Sequence, residues 1–226
     1  MTASASTRSA SAADRPVPPA AGRRTELALA AASAALFALV AVLVSLDDLR
    51  RVDTQEILAV RRVASPALTA IMQAASAVAN GWVAVPLALL AAAALYRLAR
   101  PALAALYVGA CAGGEVLMLA LKRLVHHPRP VGISPKLTDA GWYSFPSGHT
   151  MLAVIIFGLG AWFLTRRSSA RTRTVALSAV TAFVVLVGLS RVYLGAHWPS
   201  DCVGAAFGGL AWNALCVGAQ PSIAPD

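Results

Sequence analysis

Charged side chains are scarce in this sequence, and acidic ones are the scarcest. Asp, Glu, Lys and Arg make up 13% of the 226 residues, against about 25% in a typical soluble domain. The 10 acidic residues form no cluster of the kind that holds Mg²⁺. We therefore expect neither a soluble globular domain nor a metal site, and the sequence implies no cofactor.

Cysteine is also scarce, and the basic residues show no pattern typical of nucleic-acid binding. The three cysteines, Cys111, Cys202 and Cys216, lack the spacing of disulfide partners or metal ligands. Lys and Arg number 19 against 10 acidic residues, but no basic face interleaved with aromatic residues is present. The cations lie at the ends of apolar blocks, so we expect the membrane bilayer, and not nucleic acid, as the partner.

Long apolar runs are abundant, and they predict an all-α, six-span transmembrane helical bundle. An interfacial helix is predicted over residues 67–79. The six spans are predicted over residues 26–46, 82–98, 102–121, 150–164, 175–189 and 202–219. Residues 1–24 have the composition of a disordered tail, residues 25–219 form the membrane domain, and residues 220–226 are a short second tail.

Loop charges predict which side of the membrane each loop faces. With the N-terminus inside, 10 of the 19 Lys and Arg residues fall in cytoplasmic segments, as the positive-inside rule requires. Five of the nine outer cations are offset by five acidic residues in the same segments. The positive charge that remains outside belongs to three polar clusters. Both termini are therefore expected to be cytoplasmic, and the clusters to face outward.

The first polar cluster supplies two cations. Lys122 ends the third predicted span, and Arg129 lies seven residues later between Pro128 and Pro130. A Lys point charge and an Arg fork are donors suited to a phosphate dianion. In isolation, the same residues are also typical of a membrane edge, where a Lys side chain extends toward water.

The second cluster, Pro146-Ser147-Gly148-His149, immediately precedes the fourth span. A Ser hydroxyl and the free N–H groups of a helix start form an anion site. Gly148 allows the backbone to approach a phosphate closely, and His149 is placed as a proton donor. The alternative interpretation is an ordinary helix cap with an interfacial histidine.

The third cluster joins the ends of the last two spans. Ser190 and Arg191 end the fifth span, and His197 and Asp201 open the sixth. An ionised Asp201 can accept the Nδ1 proton of His197, which leaves Nε2 as a nucleophile. A His and an Asp at a helix start also occur without any catalytic role.

In order, the clusters read Lys-x6-Arg-Pro, Pro-Ser-Gly-His and Ser-Arg-x5-His-x3-Asp. This pattern resembles the type 2 phosphatidic acid phosphatase family, which shares its site architecture with vanadium haloperoxidases. The resemblance extends over residues 60–217. It implies His197 as nucleophile, Asp201 as its orienting partner and His149 as general acid. It also implies that the phosphoryl oxygens are held by Lys122, Arg129, Ser147, Gly148, His149 and Arg191.

Two further residues are singled out by their positions. Glu115 lies inside the third predicted span, two turns before Lys122 on the same face. Because intramembrane acids are usually functional, we interpret it as a support for Lys122, with a carboxyl hydrogen-bonded between helices as the alternative. His127 stands where many members of the family carry Arg, and we interpret it as bearing on head-group preference.

These observations predict a membrane enzyme that hydrolyses a lipid phosphate through a phosphohistidine, without a metal. The candidate substrates are undecaprenyl diphosphate, phosphatidic acid and phosphatidylglycerol phosphate, and the outward site slightly favours the first. Transfer of the phosphoryl group to another lipid is an alternative, as is a non-catalytic lipid-phosphate binding or transport protein. Haloperoxidase activity is disfavoured because those enzymes are soluble.

Overall fold

The computed structural model describes residues 19–133, 135–138, 141 and 143–219, and all the regular structure in these residues is helical. The described chain forms eight helices. They are α1 (Pro19–Ser45), α2 (Arg50–Arg62), α3 (Pro66–Val78), α4 (Gly81–Arg97), α5 (Pro101–Val125), α6 (Gly148–Thr165), α7 (Ala170–Tyr193) and α8 (Pro199–Gly218). The predicted all-helical fold is confirmed.

The predicted apolar runs coincide with the long helices. In the described chain, four helices (α1, α5, α6 and α7) are long and apolar enough to cross a membrane. The helices α3 and α4 form a pair bent by 51° and add a fifth crossing if the pair is one span. The 20-residue α8 packs along α1. A multi-pass membrane protein is thus established, while the count of six spans stays a prediction.

The centre of the bundle is α6. Half of its apolar stretch is buried, against 17% of that of α1, because α6 contacts α4, α5, α7 and α8. Its approach to α8 is close: a Cβ atom on Gly209 would lie 2.8 Å from Val154 Cβ and 3.1 Å from the Met151 carbonyl oxygen. Only glycine fits there, so this position lets the middle of α8 pack closely against the first half of α6.

The structure differs from the sequence-based expectations at α2 and at the start of α1. The helix α2 was not predicted, because six of its 13 residues are charged; it buries Asp53 and Ile57 against the bundle. Residues 19–24, expected in the N-terminal tail, belong to α1, whose alanine-rich start favours helix. The rest of that tail, 1–18, and the predicted tail 220–226 lie outside the described residues.

The order of the helices brings four helix ends together. The C-terminal ends of α5 and α7 and the N-terminal ends of α6 and α8 lie at one end of the bundle, as hydrogen bonds between their flanking segments show. The backbone N–H of Ser147, before α6, donates to the carbonyl of Asp201 in α8 over 3.1 Å. The three polar clusters of the sequence are therefore adjacent in space.

Candidate active site

The carboxylate of Asp201 is at the centre of the site. It lies in the first turn of α8 and is 0% exposed. Its Oδ2 atom accepts hydrogen bonds from His197 Nδ1 at 3.2 Å, from the backbone N–H of Trp198 at 2.9 Å and from the hydroxyl of Ser144. A buried carboxylate with this many donors is stabilised in its ionised form.

His197 is held with a single proton on Nδ1. Because the Asp201 carboxylate can only accept, the shared hydrogen bond places the proton of His197 on Nδ1. Its Nε2 atom then carries a lone pair, and it lies 3.2 Å from Nη1 of Arg129, which donates to it. Burial lowers the pKa of His197 to about 4, although Asp201 opposes the shift. The imidazole is therefore neutral near pH 7, as a nucleophile must be.

Arg129 lies in the segment between α5 and α6 and contacts His197 directly. Its Nε donates to the Gly141 carbonyl at 2.5 Å, its Nη2 to the Tyr143 carbonyl at 2.9 Å, and its Nη1 to the Ala196 carbonyl as well. Burial lowers the pKa of the Arg129 guanidinium from its ordinary value, but an arginine stays protonated in proteins. A permanent positive charge is thus fixed beside His197 Nε2.

Lys122, at the end of α5, binds the segment that precedes α6. Its Nζ donates to the carbonyls of Tyr143, Ser144 and Pro146, at 3.1, 3.3 and 2.7 Å. These are all three donors of an ammonium group. Within the described residues, no hydrogen bond or ion pair joins Lys122 to Glu115. Three backbone carbonyls therefore hold Lys122, and the support from Glu115 stays a prediction.

Arg191 has an N–H group without a partner in the described part of the chain. The side chain is 2% exposed, and its Nη1 donates to Ser76 Oγ of α3 at 2.5 Å. Its Nε is buried and has no hydrogen-bond partner in the described part of the chain. A buried donor left unpaired is costly, and an anion would satisfy it. The carbonyl of Arg191 also accepts from the backbone N–H of His197 at 3.3 Å.

The start of α6 completes the site. Ser147 is buried, and its hydroxyl accepts from Thr150 Oγ1 at 3.0 Å. A Cβ on Gly148 would lie 3.4 Å from Met118 Cε and 3.9 Å from Lys122 Cε, so the chain is close to Lys122 here. His149 is half-buried and lies in the first turn of α6.

A cavity of about 630 Å³ leads away from His149. It lies between α4, α5 and α6, and its walls are mostly apolar. The polar side chains in the wall include those of Asn80, Glu115 and His149. Glu115 therefore faces the same cavity as His149.

Four side chains at the site were missed or interpreted differently from the sequence. His127 contacts Asp201 Oδ1 at 3.2 Å, so its ring faces the carboxylate, and its effect on head-group preference stays a prediction. Ser144 and Ser76 hold Asp201 and Arg191. Asp53 of α2 accepts from the N–H of Ser200 at 3.0 Å and from its hydroxyl at 2.5 Å. Of these four residues, Ser76 alone could have been noticed in the sequence, because it is a polar residue in an apolar helix. The roles of the other three depend on contacts between distant segments.

Comparison with known proteins identifies the family. A family model described as the PAP2 superfamily matches residues 102–223, which hold all three polar clusters. The chain belongs to the PAP2 superfamily. The resemblance read from the sequence is thereby confirmed.

Relatives and solved structures agree with this membership. The PAP2 chain is 35% identical over 92 residues to phosphatidylglycerophosphatase B of Bacillus subtilis (strain 168), and this match spans 40% of the chain and 44% of the relative. The fold is that of the transmembrane PAP2 type phosphatidylglycerolphosphate phosphatase from Bacillus subtilis, with a TM-score of 0.78, 24% identity, and coverage of 84% of this chain and 94% of that one. Aquifex aeolicus LpxE matches with a TM-score of 0.58 and 23% identity, over 72% of this chain and 93% of its own.

Proposed function

We propose that this PAP2 protein is an integral membrane phosphatase that hydrolyses a lipid phosphate through a phosphohistidine on His197. The observation that carries the proposal is the buried pair of His197 and Asp201, with the unprotonated Nε2 of His197 beside Arg129. Arg191 supports it with a buried N–H that has no partner among the described residues. Phosphate oxygens are acceptors suited to that donor.

In the first step, Nε2 of His197 attacks the phosphorus atom in line with the scissile bond. The N–P bond forms as the P–O bond to the lipid breaks, and Asp201 stabilises the resulting imidazolium. Arg129 and Arg191 offset the charge on the equatorial oxygens. Lys122 and Arg129 hold loop carbonyls, so their donors are shared with or exchanged for phosphate oxygens when the substrate binds.

His149 is placed to handle the leaving-group proton. It lies at the start of α6, where the site meets the cavity. We assign His149 the role of donating a proton to the departing lipid oxygen. The same imidazole, now unprotonated, then takes a proton from the water that attacks the phosphohistidine. Inorganic phosphate leaves, and His149 and His197 return to their starting states.

The cavity favours a substrate with an apolar tail. Its volume of about 630 Å³ and its apolar walls match part of an acyl or prenyl chain, which gains free energy when it leaves water. The candidates are phosphatidylglycerol phosphate, phosphatidic acid and undecaprenyl diphosphate. The name of the Bacillus subtilis relative supports the first of these, and an outward-facing site supports the last.

The proposed arrangement in the membrane has six spans, with α3 at the outer interface and α8 as the sixth span. Both termini are cytoplasmic, and the site faces outward. The loop between α6 and α7 carries Arg166 and Arg167, and the first turn of α7 carries Arg171 and Arg173. This segment lies at the end of the bundle opposite the site. The positive-inside rule supports this orientation.

Phosphate release from a panel of these lipids by the purified protein, with EDTA present, tests the proposal. We expect release from at least one lipid in EDTA, inhibition by vanadate, and loss of release in His197→Ala. The matched control is His126→Asn, which changes an exposed histidine outside the hydrogen-bond network of Asp201. Activity that requires added Mg²⁺ would contradict the mechanism. Transfer of phosphate to a second lipid, without release, would instead show a phosphotransferase.

A further inference from the structure

Two histidines share one carboxylate at this site. Asp201 Oδ2 is 3.2 Å from Nδ1 of His197, and Asp201 Oδ1 is 3.2 Å from Nδ1 of His127. His127 is 9% exposed, and its ring packs against Trp198 with 6.0 Å between ring centroids. The contact joins residues 74 positions apart, and it lies outside the roles that the proposed mechanism uses.

The geometry fixes the proton on His127. An ionised Asp201 offers only acceptors, so Nδ1 of His127 must carry a proton to bind Oδ1. Ser144 closes the arrangement: its hydroxyl donates to Asp201 Oδ2, and its oxygen is 3.3 Å from Nδ1 of His127. The backbone N–H of Ser144 donates to the His127 carbonyl at 2.8 Å. His127 is thus held in place through both its backbone and its ring.

We propose that His127 is a positioning residue that binds the second oxygen of Asp201 and so limits how much of the carboxylate's charge acts on His197. The proposal rests on the proposed function, in which His197 is the nucleophile. In the described chain, His127 supplies the one hydrogen bond that Asp201 Oδ1 receives from a side chain. Without it, Oδ1 has no side-chain donor in the described chain, the carboxylate is held through Oδ2 alone, and more of its charge falls on the donors there.

Two effects of removing this hydrogen bond follow. Turnover falls because Asp201 no longer holds His197 in one orientation. The titration of His197 moves to higher pH, because a less neutralised carboxylate stabilises the imidazolium more strongly. The charged and titratable groups near His127 are Asp201 and His197, His126 and Arg129 one and two positions along the chain, and Lys122, which acts on His197. Arg50 is also near, with its guanidinium 5.5 Å from the Trp198 ring. These groups are present in wild type and variant alike, so a difference in the titration of His197 reports the loss of the His127 hydrogen bond.

Histidine-selective ¹⁵N NMR of the full chain in detergent micelles tests the proposal, since the chain has only four histidines. In the wild type we expect His127 to carry a proton on Nδ1, and we expect His197 to be protonated on Nδ1 and unprotonated on Nε2 near pH 7. In His127→Leu, which keeps an apolar contact with Trp198, the His197 titration should move up. The kcat for phosphate release should fall by about tenfold, the effect of ~1.4 kcal/mol, with KM unchanged.

His127→Asn is the rescue variant, because an Asn amide N–H lies where Nδ1–H of His does and can donate to Asp201. We expect it to restore the titration of His197 and most of the turnover, and we expect His126→Asn to change neither. An Nδ1 of His127 without a proton in the wild type would overturn the proposal even if no variant folds. So would an unshifted His197 in folded His127→Leu. A wild type that releases no phosphate from any lipid would overturn the proposed function alone.

Discussion

At the scale of single residues, the protonation of His197 follows from its neighbours. Asp201 fixes the proton on Nδ1, Arg129 donates to Nε2, and burial keeps the ring neutral. In the proposed mechanism, these three conditions together prepare Nε2 of His197 to attack phosphorus. Two of the three conditions are set by single side chains, Asp201 and Arg129, so these two can be removed separately.

Removing the nucleophile and removing its partner should have different effects. We expect His197→Ala to lower kcat by about 10⁴-fold or more, because no other group can form the N–P bond. Asp201→Asn should lose less, because the nucleophile stays present while its orientation and basicity suffer. The measurement is phosphate release by folded variants, with elution profile in detergent as the folding control. Release at the wild-type rate by His197→Ala would refute the assignment.

His149 can be tested by the chemistry of the leaving group. A lipid monophosphate expels an alkoxide, which needs a proton in the transition state, whereas a diphosphate expels a phosphate ester that needs little help. His149→Gln should therefore harm monophosphate hydrolysis by a further ~10- to 100-fold relative to diphosphate hydrolysis, within the usual range of general acid catalysis.

Arg191→Lys is the matched comparison for His149→Gln. It weakens the clamp on the phosphoryl group that both substrates share, so kcat/KM should fall equally for the two. Equal losses for His149→Gln as well would make His149 a phosphate-binding residue, and the proton donor would have to be another group.

At the scale of helices, α2 lies outside the polar clusters and holds the segment that carries His197 and Asp201. Asp53 accepts from the backbone N–H and the hydroxyl of Ser200, one residue before Asp201. Ile57 is fully buried and packs against Val192 and Trp198. The start of α8, which carries both Asp201 and the segment of His197, is thus capped by a side chain from another helix.

Asp53→Ala should therefore weaken both stability and activity. Loss of a helix cap costs about 0.5–2 kcal/mol, and we expect a lower thermal midpoint in detergent together with reduced kcat. Glu56→Ala is the control, because Glu56 is on the same helix and exposed. Equal effects of the two variants would show that α2 acts through its overall charge and not through Ser200.

The same helix shows how far the sequence alone could predict the fold. The long spans were predictable because a long run of apolar residues without charges is favoured in the apolar interior of a membrane. The three clusters were predictable as one site because their spacings match a family and because consecutive spans alternate direction. The helix α2 was not, because its charged residues hide a narrow apolar face around Ile57. The partners of Asp201 at His127 and Ser144 depend on the path of a loop, which no local pattern encodes.

At the scale of the whole molecule, the two ends of the bundle are far enough apart to lie on opposite faces of a membrane. The helix α5 has 25 residues, which is about 37 Å at 1.5 Å per residue and enough to cross the hydrocarbon core. Lys122 is at one end and Arg100 precedes the other. The candidate site and the arginine-rich loop between α6 and α7 therefore lie on opposite faces of any membrane that α5 crosses.

Cysteine labelling distinguishes which face is outside. Val131, close to the site, is 87% exposed, and Ser168, in the loop between α6 and α7, is also exposed. In a background with Cys111, Cys202 and Cys216 replaced by Ala, we expect Val131→Cys to react with an impermeant maleimide in intact cells. Ser168→Cys should react only after the cells are permeabilised. Labelling of both variants in permeabilised cells is the control for reactivity. The reverse pattern in intact cells would invert the topology, place the site in the cytoplasm and remove the argument for a substrate presented on the outer leaflet.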